Sequence, residues 1–501
     1  MEPLISRRAI AWGGLSFAAL TLSRCGHAPD RADPNPDVPE AFRASGAGAA
    51  AAWPAEEWWT GFNSPELNLL IAKARRQNFD IAAAIARVRQ ADARLRIAGA
   101  ALLPALNGTG SGSWQHAGLG TGSGGARGRT GTTASIDSRS YGFGLSAAYQ
   151  IDFWGHNRAR QDSAAAAALA SRFDQRTVAL TVTANVASLW FTALALADRL
   201  RVARSNVADS ERTQAIVRAR MAAGTASALD VANQETLLAT ERATIPNFQN
   251  QLEQALNGLG ILTGEPPERV SVRPGTLTAL RLPPVAPGLP SELLRRRPDI
   301  ASAEALLEGS GFDVKVARTA FYPAINLTGS TGFQAPALNA LINPGGFIAS
   351  LAAGLTAPIF DGGTLRGALE LARGQQAELL ADYRKAVVQA FTDVDNALTA
   401  WRYTSEQEGL QRVAVETARR AATIARAQML AGTADLLSVL TAESALFNAE
   451  DTLAQVRLAR AQALVGVYKA LGGGWRREME ERPELTPGRL KGGVALPAGG
   501  A

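Results

Sequence analysis

The chain has 501 residues, of which 47% are hydrophobic and 19% are charged, and its net charge is +6. Arginine and glutamate are interspersed along segments with helical periodicity, so there is no basic patch of the kind that binds nucleic acid. The three histidines (His27, His116 and His156) and the single cysteine lack the spacing of metal ligands or of a thiol enzyme. We therefore expect neither an enzyme nor a metal or cofactor site.

The N-terminus has the charged-then-apolar order of an export signal. A pair of arginines precedes an apolar run from Ala9 to Leu22, and the only cysteine, Cys25, follows shortly after it. A lone cysteine cannot form an internal disulfide, but a thiol just after an apolar signal core is suited to acylation. We predict a signal peptide over 1–24 and a lipid-anchored extension over 25–64, with palmitate on Cys25. Arg24 stands where lipidation sites have a small residue, so ordinary cleavage elsewhere is the alternative.

The chain contains one unit twice. GTASALDV at 224–231 matches GTADLLSV at 432–439, and LPALNGTG at 103–110 matches YPAINLTG at 322–329. Internal similarity of this kind indicates a duplicated structural unit. The predicted boundaries are 65–264 for repeat 1, 265–289 for a linker, 290–472 for repeat 2 and 473–501 for a C-terminal tail.

Each repeat contains two segments with the alternation of a β-strand. From Tyr141 to Phe153 every second residue is apolar, and the residues between them are small or polar. This pattern predicts a strand with one apolar face. Segments of this length can cross a bilayer when the strands are tilted. The four predicted strands lie at about 105–115, 141–153, 324–334 and 347–359.

Long helices follow each pair of strands. No proline or glycine occurs from Asn157 to Ala222, which predicts a helix of about 100 Å at 1.5 Å per residue. In the later helix of each repeat, apolar residues recur at steps of three and four, as in a coiled-coil seam, although Arg460 interrupts the second seam. The predicted long helices are about 157–222 and 227–262 in repeat 1, and about 364–430 and 435–471 in repeat 2.

Four strands are too few to close a barrel by themselves. In lipid, an open sheet edge leaves backbone groups without hydrogen bonds, at several kcal/mol each, and about eight strands are the minimum for closure. Three copies would supply twelve strands. The apolar face would then contact lipid, while glycine, serine, asparagine and threonine would line a watery lumen. A soluble sheet packed on helices is the alternative.

Four segments resemble the TolC-like outer-membrane factor family. They are WWTGFNSPELNLLI (58–71), ATIPNFQNQLEQALNGLGILTG (243–264), LPSELLRRRPDIASAEALL (289–307) and APIFDGG (357–363). The resemblance covers nearly the whole chain after about Trp53, and LLRRRPDI is similar to a motif of members that serve resistance-nodulation-division pumps. It implies a mainly α-helical homotrimer in which a 12-strand transmembrane β-barrel stands on a long α-helical tunnel. The linker and the tail would lie near a belt around the middle of the tunnel.

The same resemblance implies a function. The chain would be the passive outer-membrane exit duct of a tripartite efflux system, together with a periplasmic adaptor and an inner-membrane pump, and would contribute to multidrug resistance in a Gram-negative cell. It would contact outer-membrane lipid, with its tunnel in the periplasm. A periplasmic coiled-coil scaffold and a channel of the same fold for protein secretion are the alternatives.

The two matching Gly-Thr turns are the most informative loops. A glycine after a helix readily adopts the left-handed conformation of a C-cap. Both repeats place the turn at the end of a helix of about 100 Å that begins after a strand, so we expect the turns to form the periplasmic tip. By resemblance, this is where adaptor hairpins dock and where the tunnel narrows to a gate. The predicted docking residues are Gly224, Thr225, Gly432 and Thr433.

Some relatives carry two aspartates, three residues apart, just after the second turn, and these form acidic rings in the aperture. The matching residues here are Ser438 and Thr441, so those rings are missing at this site. Asp230 and Asn233 in repeat 1 and Asp435 in repeat 2 are the other gate candidates. A ring of carboxylates would attract cations and select against anions. Capping of a helix N-terminus is an equally good explanation for these aspartates.

Overall fold

The structure is a computed structural model, and the part of the chain that it describes is 38–39, 42–43, 53–119, 134–273, 275–283 and 290–477. The predicted signal peptide and Cys25 lie outside the described residues. The helices are α1 (Pro65–Gln77), α2 (Phe79–Ala100), α3 (His156–Ala222), α4 (Ala228–Thr263), α5 (Pro290–Leu293), α6 (Pro298–Thr319), α7 (Thr364–Leu430) and α8 (Leu436–Ala470). The strands are β1 (Ala105–Leu119), β2 (Ala134–Ile151), β3 (Ala324–Ala335) and β4 (Phe347–Thr356).

The chain forms two compact units, and each takes segments from both sequence repeats. The described residues within 90–168 and 305–381 belong to one unit, which we call the strand unit. Those within 34–89, 169–304 and 382–477 belong to the other, the helical unit. The duplicated sequence units are therefore interleaved in space, because each repeat contributes both strands and long helices.

All four strands form one antiparallel sheet in the order β1-β2-β3-β4. The register aligns residues of the same character across the sheet, so that Phe143 lies opposite Phe333, and Phe333 lies opposite Phe347. The rings of Phe333 and Phe347 meet edge to face at 5.7 Å between centroids. Four strands, two from each repeat, confirm the predicted fold class of a mainly helical chain with a small set of amphipathic strands.

The other face of the sheet is small and polar. Ser330 and Ser350 lie opposite each other and share a hydrogen bond of 2.8 Å, and the Gln334 side chain donates to the Ser140 hydroxyl at 2.9 Å. Ile136 and Ile348 are exceptions, since their positions in the register place them on this polar face. The alternation in the sequence thus corresponds to one apolar and one polar surface.

Strand β2 ends at Ile151 because the next residue caps a helix. Both carboxylate oxygens of Asp152 accept backbone hydrogen bonds at 2.9 Å, one from Asn157 and one from Arg158. These are among the first N–H groups of α3, which have no partner within the helix. The predicted strand extended to Phe153, two residues beyond this cap. Asp152 therefore has a structural role in starting α3.

The first long helix of repeat 1 is broken at Asn78. Ser64 caps α1 by accepting a hydrogen bond from the backbone of Leu67 at 3.2 Å, as the Ser-Pro-Glu start predicts. Asn78 then leaves the helical conformation, and its side-chain oxygen caps α2 by accepting from the backbone of Asp80 and Ile81. Its amide donates to the carbonyl of Leu262 at 3.0 Å. The sequence predicts one helix from Pro65 to about Ala101, and this tertiary hydrogen bond explains why the structure divides it into α1 and α2.

The core of the helical unit surrounds the middle of α3. Trp190 and Phe191 are buried there with Trp58, Phe62 and Leu464, and Trp58 stacks on the ring of Tyr468 at 4.9 Å. Helix α3 also contains a window long and apolar enough to cross a membrane, but over half of that window is buried within the protein. We interpret it as a core helix, since burial within the chain accounts for its apolar character.

Candidate functional site: the two hairpin turns

The two helical hairpin turns have the same backbone geometry. Gly224 and Gly432 both have a φ of +75°, the left-handed conformation that favours glycine. In turn 1 the backbone N–H and the hydroxyl of Thr225 donate to the carbonyl of Arg220 at 2.8 and 3.1 Å. In turn 2 Thr433 makes the same two bonds, at 2.9 and 3.1 Å, to the carbonyl of Gln428. The repeated Gly-Thr pair is thus a C-cap that satisfies the last carbonyls of α3 and α7.

The helices that leave the turns are capped by the same residue pair in exchanged order. In turn 1 the Ser227 hydroxyl accepts from the backbone of Asp230 at 3.1 Å and donates to the Asp230 carboxylate at 2.8 Å. In turn 2 the Asp435 carboxylate accepts from the backbone and the hydroxyl of Ser438 at 3.0 and 2.5 Å. Serine and aspartate therefore swap roles at equivalent positions, and each pair caps a helix N-terminus.

These caps keep both predicted gate aspartates ionised. The backbone N–H and hydroxyl of Ser227 lower the pKa of Asp230, while the nearby carboxylate of Asp435 raises it to a smaller extent. The Ser438 hydroxyl and backbone N–H lower the pKa of Asp435. Of the other gate candidates, Asn233 is exposed, and Thr441 is exposed with its hydroxyl bonded to the carbonyl of Leu437. Both aspartates therefore take part in capping a helix N-terminus in the structure.

The two hairpins pack against each other just beyond their turns. Arg220 reaches across and donates to the carbonyl of Met429 at 2.8 Å. An apolar cluster fills the space below, made of buried Val217 from α3, Met429 from α7, and Leu436 and Val439 from α8. The two turns therefore form one surface within the helical unit, although they are 208 residues apart in the sequence.

A buried polar cluster lies further along the same hairpins, and sequence reasoning missed it. Glu241 of α4 and Glu443 of α8 are 3% and 5% exposed. Arg426 donates to Glu443 at 2.7 Å and lies 3.8 Å from Asp209. One oxygen of Glu241 and one of Glu443 have no hydrogen-bond partner among the described residues. Three carboxylates thus lie near Arg426, and Asp209 also pairs with Arg212 at 2.9 Å.

The pKa of Glu241 is raised to about 7. Burial is the main cause, because it disfavours the charged form. The carboxylates of Glu443 and Asp209 add to the effect, whereas the Ser210 hydroxyl and Arg426 oppose it. Glu241 is therefore the group in this cluster that gains or loses a proton near neutral pH.

A sequence signal for part of this cluster does exist. Arg218 pairs with Glu235 at 2.7 Å, and Arg426 pairs with Glu443 at the same distance. The two pairs occupy equivalent positions at the repeat offset of 208 residues. Comparing charges between the repeats would have found the ion pair, but nothing in the sequence places Glu241 beside it.

The sheet with one apolar face and the long paired helices are the elements of an outer-membrane channel protein. The model of the family described as "Outer membrane efflux protein" matches residues 70–265 and 289–473. The chain belongs to this family, and it is an outer-membrane channel of an efflux system, not an enzyme.

Individual relatives agree over nearly the full chain. The pyoverdine export outer membrane protein OpmQ of Pseudomonas aeruginosa is 40% identical over 93% of this chain and 97% of its own. The cation efflux system protein CusC of Escherichia coli O6:H1 is 30% identical over 92% of this chain and 98% of its own. The solved structure of the outer-membrane channel OprN is similar with a TM-score of 0.82 and 27% identity, over 90% of this chain and all of that one.

Proposed function

We propose that the chain works as a homotrimer that forms the passive exit duct of a tripartite efflux system. The observation that carries the proposal is the open sheet, because β1 and β4 each have one edge without a partner strand in the described chain. Every residue of β4 is exposed, including Phe347, Leu351 and Leu355. In a bilayer such edges must pair, and pairing β1 of one copy with β4 of the next closes twelve strands from three copies.

An exposed apolar stripe on α7 supports the same assembly. Within the helical unit, five large apolar residues lie on the side of α7 opposite its buried side, and they are Val388, Tyr403, Leu410, Val413 and Ile424. A stripe of this kind on a soluble surface is typical of a helix that packs against a partner. The neighbouring copy is the partner that the sheet edges also require.

We assign adaptor docking to the surface formed by the two turns. Gly224, Gly432 and both following threonines are exposed. Leu229 and Leu437, at equivalent positions just after the turns, are 68% and 63% exposed. Two matched apolar anchors beside polar turns suit a helical hairpin partner, since a partner contact is strongest where it buries apolar side chains.

Substituting the turn glycines tests this docking role. A Cβ at Gly224 or Gly432 meets no atom within 4 Å, so Gly224→Asp and Gly432→Asp cost only the left-handed strain of about 1 kcal/mol. We expect intact channels in the membrane, lost cross-linking to the adaptor and lost export. Gly362→Asp is the matched control, because Gly362 has a φ of +65° and equally open surroundings. Normal export by the turn variants, or an equal defect in the control, would contradict the docking role.

The proposed cargo is a small organic molecule, and a pyoverdine-type siderophore is the first to test because the 40% identical relative is a pyoverdine export protein. The duct itself is proposed to be passive, so the pump would supply the energy. In a deletion strain, siderophore in the medium and susceptibility to a drug panel should both be measured with and without the restored gene. Purified protein should also give discrete pores in a planar bilayer, which a scaffold protein would not.

Two further proposals concern the gate and the anchor. Asp230 and Asp435 remain candidates for a charged aperture, and Asp230→Asn with Asp435→Asn should then lower the preference for cations in bilayer recordings. Unchanged ion selectivity would remove them from the gate.

Lipid on Cys25 would add a tether of about 0.8 kcal/mol per buried methylene. Mass spectrometry of the mature N-terminus should find an acylated cysteine, and an unmodified N-terminus elsewhere would reject the anchor.

A further inference from the structure

The helical unit contains a polar cavity, separate from the buried cluster around Glu241, that has an excess of positive charge. Its volume is about 370 Å³, and it lies between α7, α8 and the segment 277–282. The charged residues that line it are Glu408, Arg281, Arg412, Arg457 and Arg460. Four guanidinium groups thus surround a single carboxylate, which leaves three positive charges without a counter-charge in the cavity.

Glu408 forms its hydrogen bonds with Arg457 and Arg460, the two inner arginines of the cavity. Its carboxylate accepts from Arg460 at 2.6 Å and from Arg457 at 3.3 Å. Burial raises the pKa of Glu408, but the hydrogen bonds and charges of these two arginines outweigh burial and hold the pKa below its ordinary value. The carboxylate is therefore ionised at neutral pH, and its single negative charge offsets only one of the four arginines.

The arginines of the cavity have N–H donors that Glu408 does not bind. The Nε of Arg460 is buried and has no hydrogen-bond acceptor among the described residues. Its guanidinium is held over the ring of Trp401 at 4.9 Å, which fixes the plane of the group. Arg412 lies 3.9 Å from Glu408, too far for a hydrogen bond. Arg281 is exposed at the rim, and no acidic partner for it is found in the described chain.

We propose that this cavity binds a small oxyanion, a phosphate or carboxylate compound with two or more negative charges. Guanidinium groups recognise both chemistries through paired N–H donors. The partly buried position strengthens the attraction relative to water, and the volume suits a molecule of the size of pyrophosphate or citrate. An anion would also give an acceptor to the Nε of Arg460, which lacks one among the described residues.

The test uses the full chain in detergent and titration calorimetry with inorganic phosphate, pyrophosphate and citrate. We expect one anion per chain, with affinity that falls as salt is raised. Tighter binding of pyrophosphate would identify a phosphate ligand, and tighter binding of citrate a carboxylate ligand. Arg281→Gln and Arg412→Gln leave the bonds of Glu408 in place, and each should weaken binding about tenfold, the usual effect of losing a charge-assisted hydrogen bond.

Arg419→Gln is the matched control, because it removes the same charge from an exposed arginine of α7 that pairs with Glu450 outside the cavity. Its affinity should stay within about twofold of the parent, since no bond to the anion is lost. Absence of binding by all three anions would overturn the proposal. So would equal affinity in Arg281→Gln, Arg412→Gln and the parent, or binding only after the assembly is dissociated, which would mean that a neighbouring copy fills the cavity.

Discussion

At the scale of single residues, Glu241 is a carboxyl group whose surroundings strongly disfavour its charged form. It is almost fully buried, its neighbours include two further carboxylates, and one of its oxygens has no partner among the described residues. Its pKa of about 7 in the folded state lies well above the ordinary value of 4.5. A raised pKa means that the folded state holds a proton which the unfolded state has already lost, so folding becomes less favourable as pH rises between these values.

We therefore predict that Glu241→Gln reduces the pH dependence of stability. In the parent, Glu241 imposes no penalty below pH 4.5, and the penalty grows to about 2–3 kcal/mol as pH rises through 7. The variant lacks the titrating group, so its gain in unfolding temperature over the parent should increase from pH 5 to pH 8. Thermal unfolding in detergent over that range is the measurement.

Glu235→Gln is the control for this comparison, since Glu235 is on the same helix and forms an exposed ion pair with Arg218. It should change the unfolding temperature by the same small amount at each pH. A difference between Glu241→Gln and the parent that does not vary with pH would show that Glu241 does not titrate in this range.

Residue roles that depend on neighbours in sequence could be predicted, and those that depend on tertiary packing could not. The caps at Ser64 and Asp435 follow from the residue type and the helix that comes next. The pKa of Glu241 depends on Glu443 and Arg426, which lie about two hundred residues away in the sequence and on other helices. No local sequence pattern predicts such a contact between distant residues.

At the scale of elements, the exchanged caps of α4 and α8 allow a direct test of whether the two capping arrangements stabilise a helix start equally well. Ser227→Ala removes both side-chain bonds to Asp230 and should cost about 1 kcal/mol. That corresponds to roughly fivefold faster hydrogen exchange of the first-turn amides of α4. The double variant Ser227→Asp with Asp230→Ser recreates the arrangement of repeat 2, and it should keep the protection of the parent.

Hydrogen exchange followed by mass spectrometry on peptides around 227–238 is the measurement. Thr240→Ala is the control, because Thr240 is exposed in the middle of α4 and bonds only to the carbonyl of Thr236. If the double variant exchanges as fast as Ser227→Ala, the two caps are not interchangeable.

A second element-scale prediction concerns the close approach of β2 and β3. A Cβ at Gly332 would lie 2.4 Å from the carbonyl oxygen of Phe143 and 2.7 Å from the Cα of Gly144. Gly332→Val must therefore push the two strands apart, at a cost of at least 1–3 kcal/mol. Gly354→Val on β4 meets no atom within 4 Å. The heat-resistant assembly on gels should be lost in the first variant and kept in the second, and the reverse order would contradict this register.

The strands were predictable as elements because alternation is a local pattern, whereas their ends were not. Asp152 ends β2 by bonding to the start of α3, and Asn78 divides α1 from α2 through its bond to Leu262. Strand β2 begins at Ala134, before the prediction at Tyr141, because pairing with β1 continues through less regular residues. Element type thus follows from periodicity, and boundaries follow from individual side-chain hydrogen bonds.

At the scale of the whole molecule, the duplicated sequence explains why the two repeats form ion pairs at equivalent positions. Glu211 pairs with Arg242 at 2.6 Å in repeat 1, and Arg419 pairs with Glu450 at 2.5 Å at the equivalent positions in repeat 2. The charges are exchanged while the contact is kept. The repeats have therefore kept their geometry and varied their chemistry, and the two helix caps show the same exchange of residue types.

The last prediction concerns the proposed assembly of three chains. Leu410 and Val413 are 68% and 60% exposed on the α7 stripe. If a neighbouring copy covers this stripe, Leu410→Glu with Val413→Glu would bury two unpaired carboxylates, which costs several kcal/mol or prevents association. The mass in detergent should fall from three chains to one. The single chain should keep its helical content, because both side chains point away from its own core.

Glu416→Lys provides the control, since Glu416 is exposed on the same helix and the substitution changes the charge by two units. It should leave the three-chain mass and the bilayer conductance unchanged. An intact trimer in the double variant would mean that the stripe faces solvent in the assembly. In that case the contact between copies would rest on the strand edges alone, and substitutions on β1 and β4 would become the decisive experiment.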